Sequence, residues 1–199
     1  GPPSPRSERG LPVCVHEVRF HCGGAVLKLR TAVAEDFDAI LALNDEAVAA
    51  LSPLTFERLS ALHSQAALHR VVEEDGAVVA FILVLRESAD YDSPNFQWFV
   101  DRYERFLYVD RIVVSLNARA RGAGTLLYRD LFEFAAASSV DLITCEYDLD
   151  PPNPRSQRFH VRFGFAEVGR QRLTGSGKQV SLQAARVPRH DPPGEPLPE

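Results

Sequence analysis

The sequence predicts a mixed α/β domain: a sheet of about seven strands flanked by four or five helices. Three observations carry that prediction. Residues 108–127 run from a β-branched apolar stretch at Ile112, Val113 and Val114, through Arg-x-x-Gly-x-Gly, into a helix. The helix is marked by Leu127, Leu131, Phe134 and Ala135 at helical spacing. Asp75-Gly76 joins two β-rich runs, 68–73 and 77–85, which is the composition of a tight hairpin. A second pair of β-rich runs, 165–172 and 179–187, flanks a Gly- and Ser-bearing turn at 174–178. With 199 residues and 45% hydrophobic content, the chain can bury one good core.

In chain order, residues 1–25 are rich in Pro, Gly, Arg and Ser, with a short apolar piece around 13–20. Disorder or a loosely attached strand is expected there. The domain is expected over 27–187, after a flexible extension (1–26) and before a disordered Pro-rich tail (188–199). The chain has no methionine, which suggests a natural start near Val26; mass spectrometry of the natural N-terminus tests this. Residues 27–30 alternate as an opening strand. Phe37, Ile40, Leu41, Leu43, Asn44 and Val48 form a helical stripe behind the acids Glu35 and Asp36, which suit a first turn. Ser52-Pro53 breaks it, and Thr55 can cap a second helix to about residue 67. Ser93-Pro94 can start a short third helix. The aromatics Tyr91, Phe96, Trp98, Phe99 and Tyr103 around it read either as an acceptor pocket or as a lid packed on the sheet. After the central helix come a strand at 141–147, a proline-rich loop at 148–154 and a short helix at 155–163 closed by Gly164.

The net charge of −5 argues against general nucleic-acid binding, which needs a basic face. No apolar run approaches the ~20 residues of a membrane helix, and no signal-peptide pattern opens the chain. Three cysteines, one inside a predicted strand, do not suggest a disulfide framework. Cys14, His16, His21 and Cys22 match no common zinc spacing, so no metal is expected. A soluble cytoplasmic protein fits these features.

The strand–loop–helix stretch has its own chemistry. Gly122 and Gly124 remove Cβ atoms where the chain turns and a ligand would approach. The first helical turn has N–H groups without intrahelical partners, and Arg119 and Arg121 add charge beside them. The segment Arg119, Arg121, Gly122, Ala123, Gly124 and Thr125 therefore reads as a phosphate seat. It is neither a P-loop, lacking Gly-Lys-Ser/Thr, nor a dinucleotide fingerprint, lacking the third glycine.

A second motif follows: Asn153-Pro-Arg-Ser156-Gln-Arg-Phe159-His160-Val-Arg-Phe163-Gly164-Phe165. Together, the two motifs resemble the signatures of the GNAT acyltransferase superfamily, whose second signature usually reads Asn-x-x-Ala-x-x-Phe-Tyr-x-x-x-Gly-Phe. The resemblance covers about residues 27–187 and is closest to uncharacterised predicted acetyltransferases. It implies a sheet splayed open between the strands at 107–114 and 141–147, with acetyl-CoA as co-substrate in the split. By the same resemblance its pyrophosphate meets residues 119–125, its pantetheine pairs with the main chain around Ile112, Val113 and Val114, and Asn153, Ser156 and Phe159 form the other wall.

The reaction so implied is direct acetyl transfer to a primary amine of a small molecule or peptide. Such amines have pKa values of roughly 8 to 10.4, so a base or a water chain helps remove the proton. Asp110 and Glu146 are the candidate bases, Glu146 reading otherwise as a solvated or structural strand-end carboxylate. Asp110 shares strand parity with Ile112 and Val114, which would turn it toward the acetyl site; a salt bridge with a neighbouring Arg is the competing reading. His160 stands where many members carry a tyrosine proposed to protonate the departing thiolate. It either donates in that tyrosine's place or serves as a partner for a backbone carbonyl. Arg155, Arg158 and Arg162 share one helix face, which reads as cofactor-binding or as plain solvated surface. A non-catalytic acyl-CoA-binding module, sensor or scaffold, is the alternative to an enzyme. A homodimer is compatible with the sequence but not indicated by it.

Overall fold

The computed structural model describes residues 18–22, 25–47, 53–174 and 177–188. Eight strands form one sheet: Val18–Cys22 (β1), Ala25–Thr31 (β2), Leu68–Glu74 (β3), Ala77–Arg86 (β4), Leu107–Val114 (β5), Leu142–Asp150 (β6), Ala166–Arg172 (β7) and Gln179–Arg186 (β8). Five α-helices connect them: Phe37–Glu46 (α1), Phe56–Gln65 (α2), Pro94–Val100 (α3), Ala123–Ala137 (α4) and Pro154–Arg162 (α5). The strand beyond the expected seven is β1, upstream of Val26, which pairs with β2 from Val18↔Leu29 to Cys22↔Ala25.

In space the strands run β1-β2-β3-β4-β5-β6-β8-β7. Both faces of the sheet are covered, and β4 shows why its sequence is almost continuously apolar. Ala80, Ile82 and Val84 pack beneath α4, while Phe81, Leu83 and Leu85 pack in a second cluster with residues of α1, α2 and α3. Phe96 and Phe99 of α3 are fully buried in that second cluster, with the Phe96 ring 5.3 Å from Tyr108. Those two aromatics are thus the packed lid. Tyr91 differs, because it also lines the large cavity described below.

Local signals place the helix starts. Thr55 Oγ1 accepts from Arg58 N (3.2 Å), and Asn153 Oδ1 accepts from Ser156 N (3.1 Å) just ahead of Pro154. Helix α2 stops at Gln65, short of the expected 67, because the Ala67 N–H is taken by Val84 O at 2.9 Å and the chain joins the sheet. Strand β6 instead runs past 147 to Asp150, paired with β8 as far as Asp150↔Gln179. Part of the expected proline loop is therefore strand.

Two irregularities shape the centre. All strand pairs are antiparallel except β5–β6, which is parallel and holds only Leu107↔Ile143 and Tyr108↔Thr144. Beyond that point the two strands diverge. On its other side, β5 pairs Leu83↔Arg111 and Val84↔Val109, so Asp110 is an extra residue in a bulge.

Candidate active site

The divergence of β5 and β6 opens a cavity of about 1290 Å³. Pockets for one small ligand run roughly 300–1,000 Å³, so this one has room for a cofactor and a second molecule. Its wall includes β5 from Val109 to Val114, the start of α4, residues 145–148 of β6, and α5 with Asn153.

At one lip, Gly122 caps α4 with φ +83°, the left-handed region that favours glycine. The first intrahelical bond runs from Leu126 N to Gly122 O, which leaves the N–H groups before it without helical partners. A Cβ at Gly124 would sit 3.4 Å from Phe159 and from Val114, an ordinary contact, so packing alone does not demand glycine there. Arg119 donates from Nε to Val114 O (3.0 Å) and faces Arg155 across the lip. Burial first, and Arg155 second, push its pKa down, with Glu46 opposing. Free amides, two facing guanidiniums and a glycine bounded by Val114 and Phe159 fit a phosphate-bearing group such as the pyrophosphate of acetyl-CoA.

The remaining expected binding residues divide. Ile112, Val114, Thr125, Asn153, Ser156 and Phe159 line the cavity. Val113 borders it too, but its side chain is buried in the cluster with α1–α3. Arg121 turns away, pairing with Glu74 and donating to Asn117 O, and Ala123 is buried against the sheet.

The three expected catalytic residues separate more sharply. The bulge breaks strand parity, so Asp110 lies on the face opposite Ile112 and Val114. There its Oδ1 accepts from the Tyr91 hydroxyl (2.5 Å) and its Oδ2 from Arg111 Nε (3.1 Å). Arg111 also donates to Asn44 Oδ1 of α1 at 2.7 Å. The neighbour-arginine salt bridge is the geometry found.

His160 has both ring nitrogens within reach of protein partners. Nδ1 is 2.7 Å from Ser156 O, an acceptor, so Nδ1 carries the proton. Nε2 then accepts from the buried Tyr128 hydroxyl at 2.8 Å. Burial pushes the His160 pKa down, favouring this neutral state. Neutral His160 has no spare N–H for a thiolate, which leaves the backbone-carbonyl reading; the residue braces α5 against α4.

Glu146 is different. Tyr108 Oη donates to both of its carboxylate oxygens at 2.9 Å, and Asn95 Nδ2 donates to Oε1 at 3.0 Å. Gln171 of β7 in turn donates to Asn95 Oδ1 at 3.1 Å. No cation pairs with Glu146 among the described residues. Burial is the largest influence on its pKa and, with Asp110 and Asp148 adding repulsion, pushes it up to about 7 against the hydrogen bonds from Tyr108 and Asn95. A carboxylate half-ionised near neutrality is suited to taking a proton. Tyr108, Asn95 and Gln171 carried no signal in the sequence, being joined to Glu146 only by the fold.

Among the described residues, no group of three or more His, Cys, Asp or Glu is placed to hold a metal ion; Cys14 and His16 lie outside them. No described helix is long and apolar enough to cross a membrane.

Comparison with known proteins accords with this geometry. A phosphinothricin N-acetyltransferase of Streptomyces coelicolor is 42% identical over 64 residues, 32% of this chain and 36% of the relative, so the match spans about a third of that protein. A Salmonella typhimurium structure described with its cofactor acetyl-CoA superposes with a TM-score of 0.63 at 18% identity, over 84% of this chain and 98% of the other. The ribosomal-protein-alanine N-acetyltransferase of Brucella melitensis gives 0.61 at 22% identity, over 80% and 99%. At those identities the structural likeness speaks for the fold. The model of the Acetyltransferase (GNAT) family matches residues 33–165, about two thirds of the chain. The chain therefore belongs to the GNAT acetyltransferase family.

Proposed function

We propose that the protein transfers an acetyl group from acetyl-CoA to the primary amine of a small molecule or peptide, with Glu146 as the proton acceptor. The observation that carries this reading is the Glu146 carboxylate at the fork of the sheet, oriented by Tyr108 and Asn95 and, among the described residues, unpaired with any cation. Acetyl-CoA supplies the activated thioester when bound. Arg119, Gly122, Gly124 and Thr125 would hold its phosphates, the main chain at Ile112 and Val114 its extended arm, and Asn153, Ser156 and Phe159 the facing wall. Glu146 takes the proton that the amine must lose to become nucleophilic. Tyr108 and Asn95 hold that carboxylate in one orientation through both protonation states. A coenzyme A thiol resembles a free thiol of pKa ~8.5, so departure as thiolate needs little acid assistance.

The test is thiol release from acetyl-CoA over a panel of amines, with wild type and Glu146→Gln. Wild type is expected to turn over, with kcat/KM rising through pH 7 as Glu146 loses its proton. Glu146→Gln is expected to lose about 10²- to 10⁴-fold, the usual worth of a positioned base, along with that inflection, while still binding acetyl-CoA by calorimetry. Undiminished kcat/KM in the variant overturns the assignment. One observation favours a second reading, a non-catalytic acyl-CoA-binding module: the ring nitrogens of His160 are both committed, so the usual hydroxyl acid has no substitute at that position. Saturable acetyl-CoA binding without thiol release across the panel would support it.

A further inference from the structure

The hydrogen bonds behind Glu146 form a chain with a direction, and what it implies rests on the transferase reading above. Gln171 Nε2 donates to Asn95 Oδ1 (3.1 Å), and Asn95 Nδ2 donates to Glu146 Oε1 (3.0 Å). Glu146 stands on β6, Asn95 on α3 and Gln171 on β7, so the chain crosses the fork of the sheet and returns. Packing sets its register. Trp98, one helical turn beyond Asn95, lies against Gly169, where a Cβ would come within 2.5 Å of the indole ring. Gly169 and Gln171 are two residues apart with no bulge between them, so they share one side of β7.

An amide side chain carries donors on one arm and an acceptor on the other, and the two arms have nearly the same shape. A half-turn of buried Asn95 therefore reverses its bonds without disturbing the packing around it. With Glu146 ionised, Asn95 must point Nδ2 at the carboxylate, because Oδ1 would face another acceptor. Once Glu146 holds the proton taken from the amine, its new O–H needs an acceptor in turn. The Tyr108 oxygen could serve only by stranding its own hydrogen in a buried position, which is costly. Asn95 Oδ1 strands nothing. When Asn95 turns, Nδ2 swings to Gln171, and half-exposed Gln171 can present Oε1 to it.

We propose that Gln171 is a positioning residue acting through Asn95, the two amides forming a relay that reverses as the proton arrives at and leaves Glu146. Because glutamine can donate or accept, the relay is satisfied in both states and favours neither. A residue at 171 that only accepts would hold Asn95 with Oδ1 toward Glu146 and favour the protonated carboxyl. One that only donates would favour the carboxylate. The ionisable groups near Glu146 are Tyr108, Asp110 and Arg111 on β5, Tyr91 and Asp92 ahead of α3, and Tyr128 on α4. Its own strand adds Cys145, Tyr147 and Asp148, the last bonded to Lys178, while β8 presents the uncharged Leu182. The far wall of the cavity adds Glu46, Arg119, Arg155, His160 and Arg162. All of these stay constant when residue 171 alone is changed.

The experiment follows Glu146 itself by carboxyl-carbon NMR on isotope-labelled protein, its signal assigned by loss in Glu146→Gln, so no turnover is needed. Wild type is expected to titrate at about pH 7. Gln171→Glu should raise that midpoint and Gln171→Lys lower it, each by about one pH unit, the worth of one hydrogen bond to a charged group. Gln171→Leu removes the partner from both states alike and should leave the midpoint in place. In an Asn95→Leu background, or Asn95→Ala if the leucine variant does not fold, both shifts should fall by at least half. Shifts of full size there mean through-space charge and overturn the proposal. So do absent shifts with Asn95 in place, or a Gln171→Leu shift as large as that of Gln171→Glu. Thiol release against pH separates failure of the transferase reading. If the kcat/KM inflection moves with the carboxyl midpoint, base and relay stand together. If the midpoint moves as expected but the rate does not follow, or no thiol is released, the relay stands and Glu146 is not the base.

Discussion

His69 of β3 is 5% exposed, and its Nδ1 lies 2.8 Å from Nδ1 of His63 on α2. One of these nitrogens must carry a proton and the other must lack it, so the contact requires at least one neutral ring. His69 Nε2 is buried without a hydrogen-bond partner among the described residues. Burial, and then His63, push the His69 pKa down to about 4, with Asp36 opposing. The unfolded chain takes up this proton near pH 6.5, whereas the folded protein resists until about pH 4. The sign follows directly: the His69 contribution is fully present above pH 6.5 and is lost as pH drops from there to about 4, while Glu146, with its raised pKa, acts in the opposite sense between about pH 7 and 4.5. Over that window the loss is roughly 3 kcal/mol. Thermal unfolding should show the Tm of wild type falling relative to that of His69→Gln as pH drops through this range. A Tm difference between the two proteins that stays constant from pH 6.5 to 4.5 would contradict it. Nothing in the sequence marked this pair, since His63 and His69 meet only because α2 folds back beside β3.

Elements were far more legible than contacts. Thr55, Ser93-Pro94, Asn153-Pro154 and Gly164 mark helix ends because their chemistry is local, confined to a few residues of chain. Asp75-Gly76 marks its hairpin for the same reason. Parity arguments failed at Asp110 because a bulge shifts every later side chain by one position, and bulges arise from pairing with a neighbour strand. The glycines of α4 were legible as a pair but not as individuals. Gly122 needs its positive φ, whereas Gly124 occupies ordinary helical backbone. Gly124→Ala should therefore leave stability unchanged or raise it by up to ~1 kcal/mol, through helix propensity. Its methyl group would stand at the mouth of the phosphate seat, so acetyl-CoA binding should weaken at least tenfold. Denaturant unfolding and calorimetry on the same sample test both halves. Intact binding would remove Gly124 from the seat.

At the scale of the whole molecule, the sheet is two pieces meeting at a short seam. β1 to β5 form an antiparallel meander, and β6, β8 and β7 form the second piece; between them run only the two residue pairs of the parallel β5–β6 contact. Hydrophobic periodicity could not announce the fork, because β5 and β6 read as ordinary buried strands whether or not they stay paired; the expectation of a split rested on the family resemblance alone. A ligand touching β5, α4 and α5 together bridges the pieces and binds the folded state only. Acetyl-CoA at about 100 times its Kd should then stabilise the fold by roughly 2.7 kcal/mol, read as a rise in Tm, and an unmoved Tm would deny the bridging. The fork also means that from Val109 onward β5 is an edge strand in the middle of an eight-stranded sheet. Exposed edges invite foreign strands and aggregation, and proteins usually blunt them with charge, proline or cover. Here the residues of α4, α5 and β6 that line the cavity provide the cover. Recognition and aggregation would draw on the same backbone groups, and the covering walls decide between them.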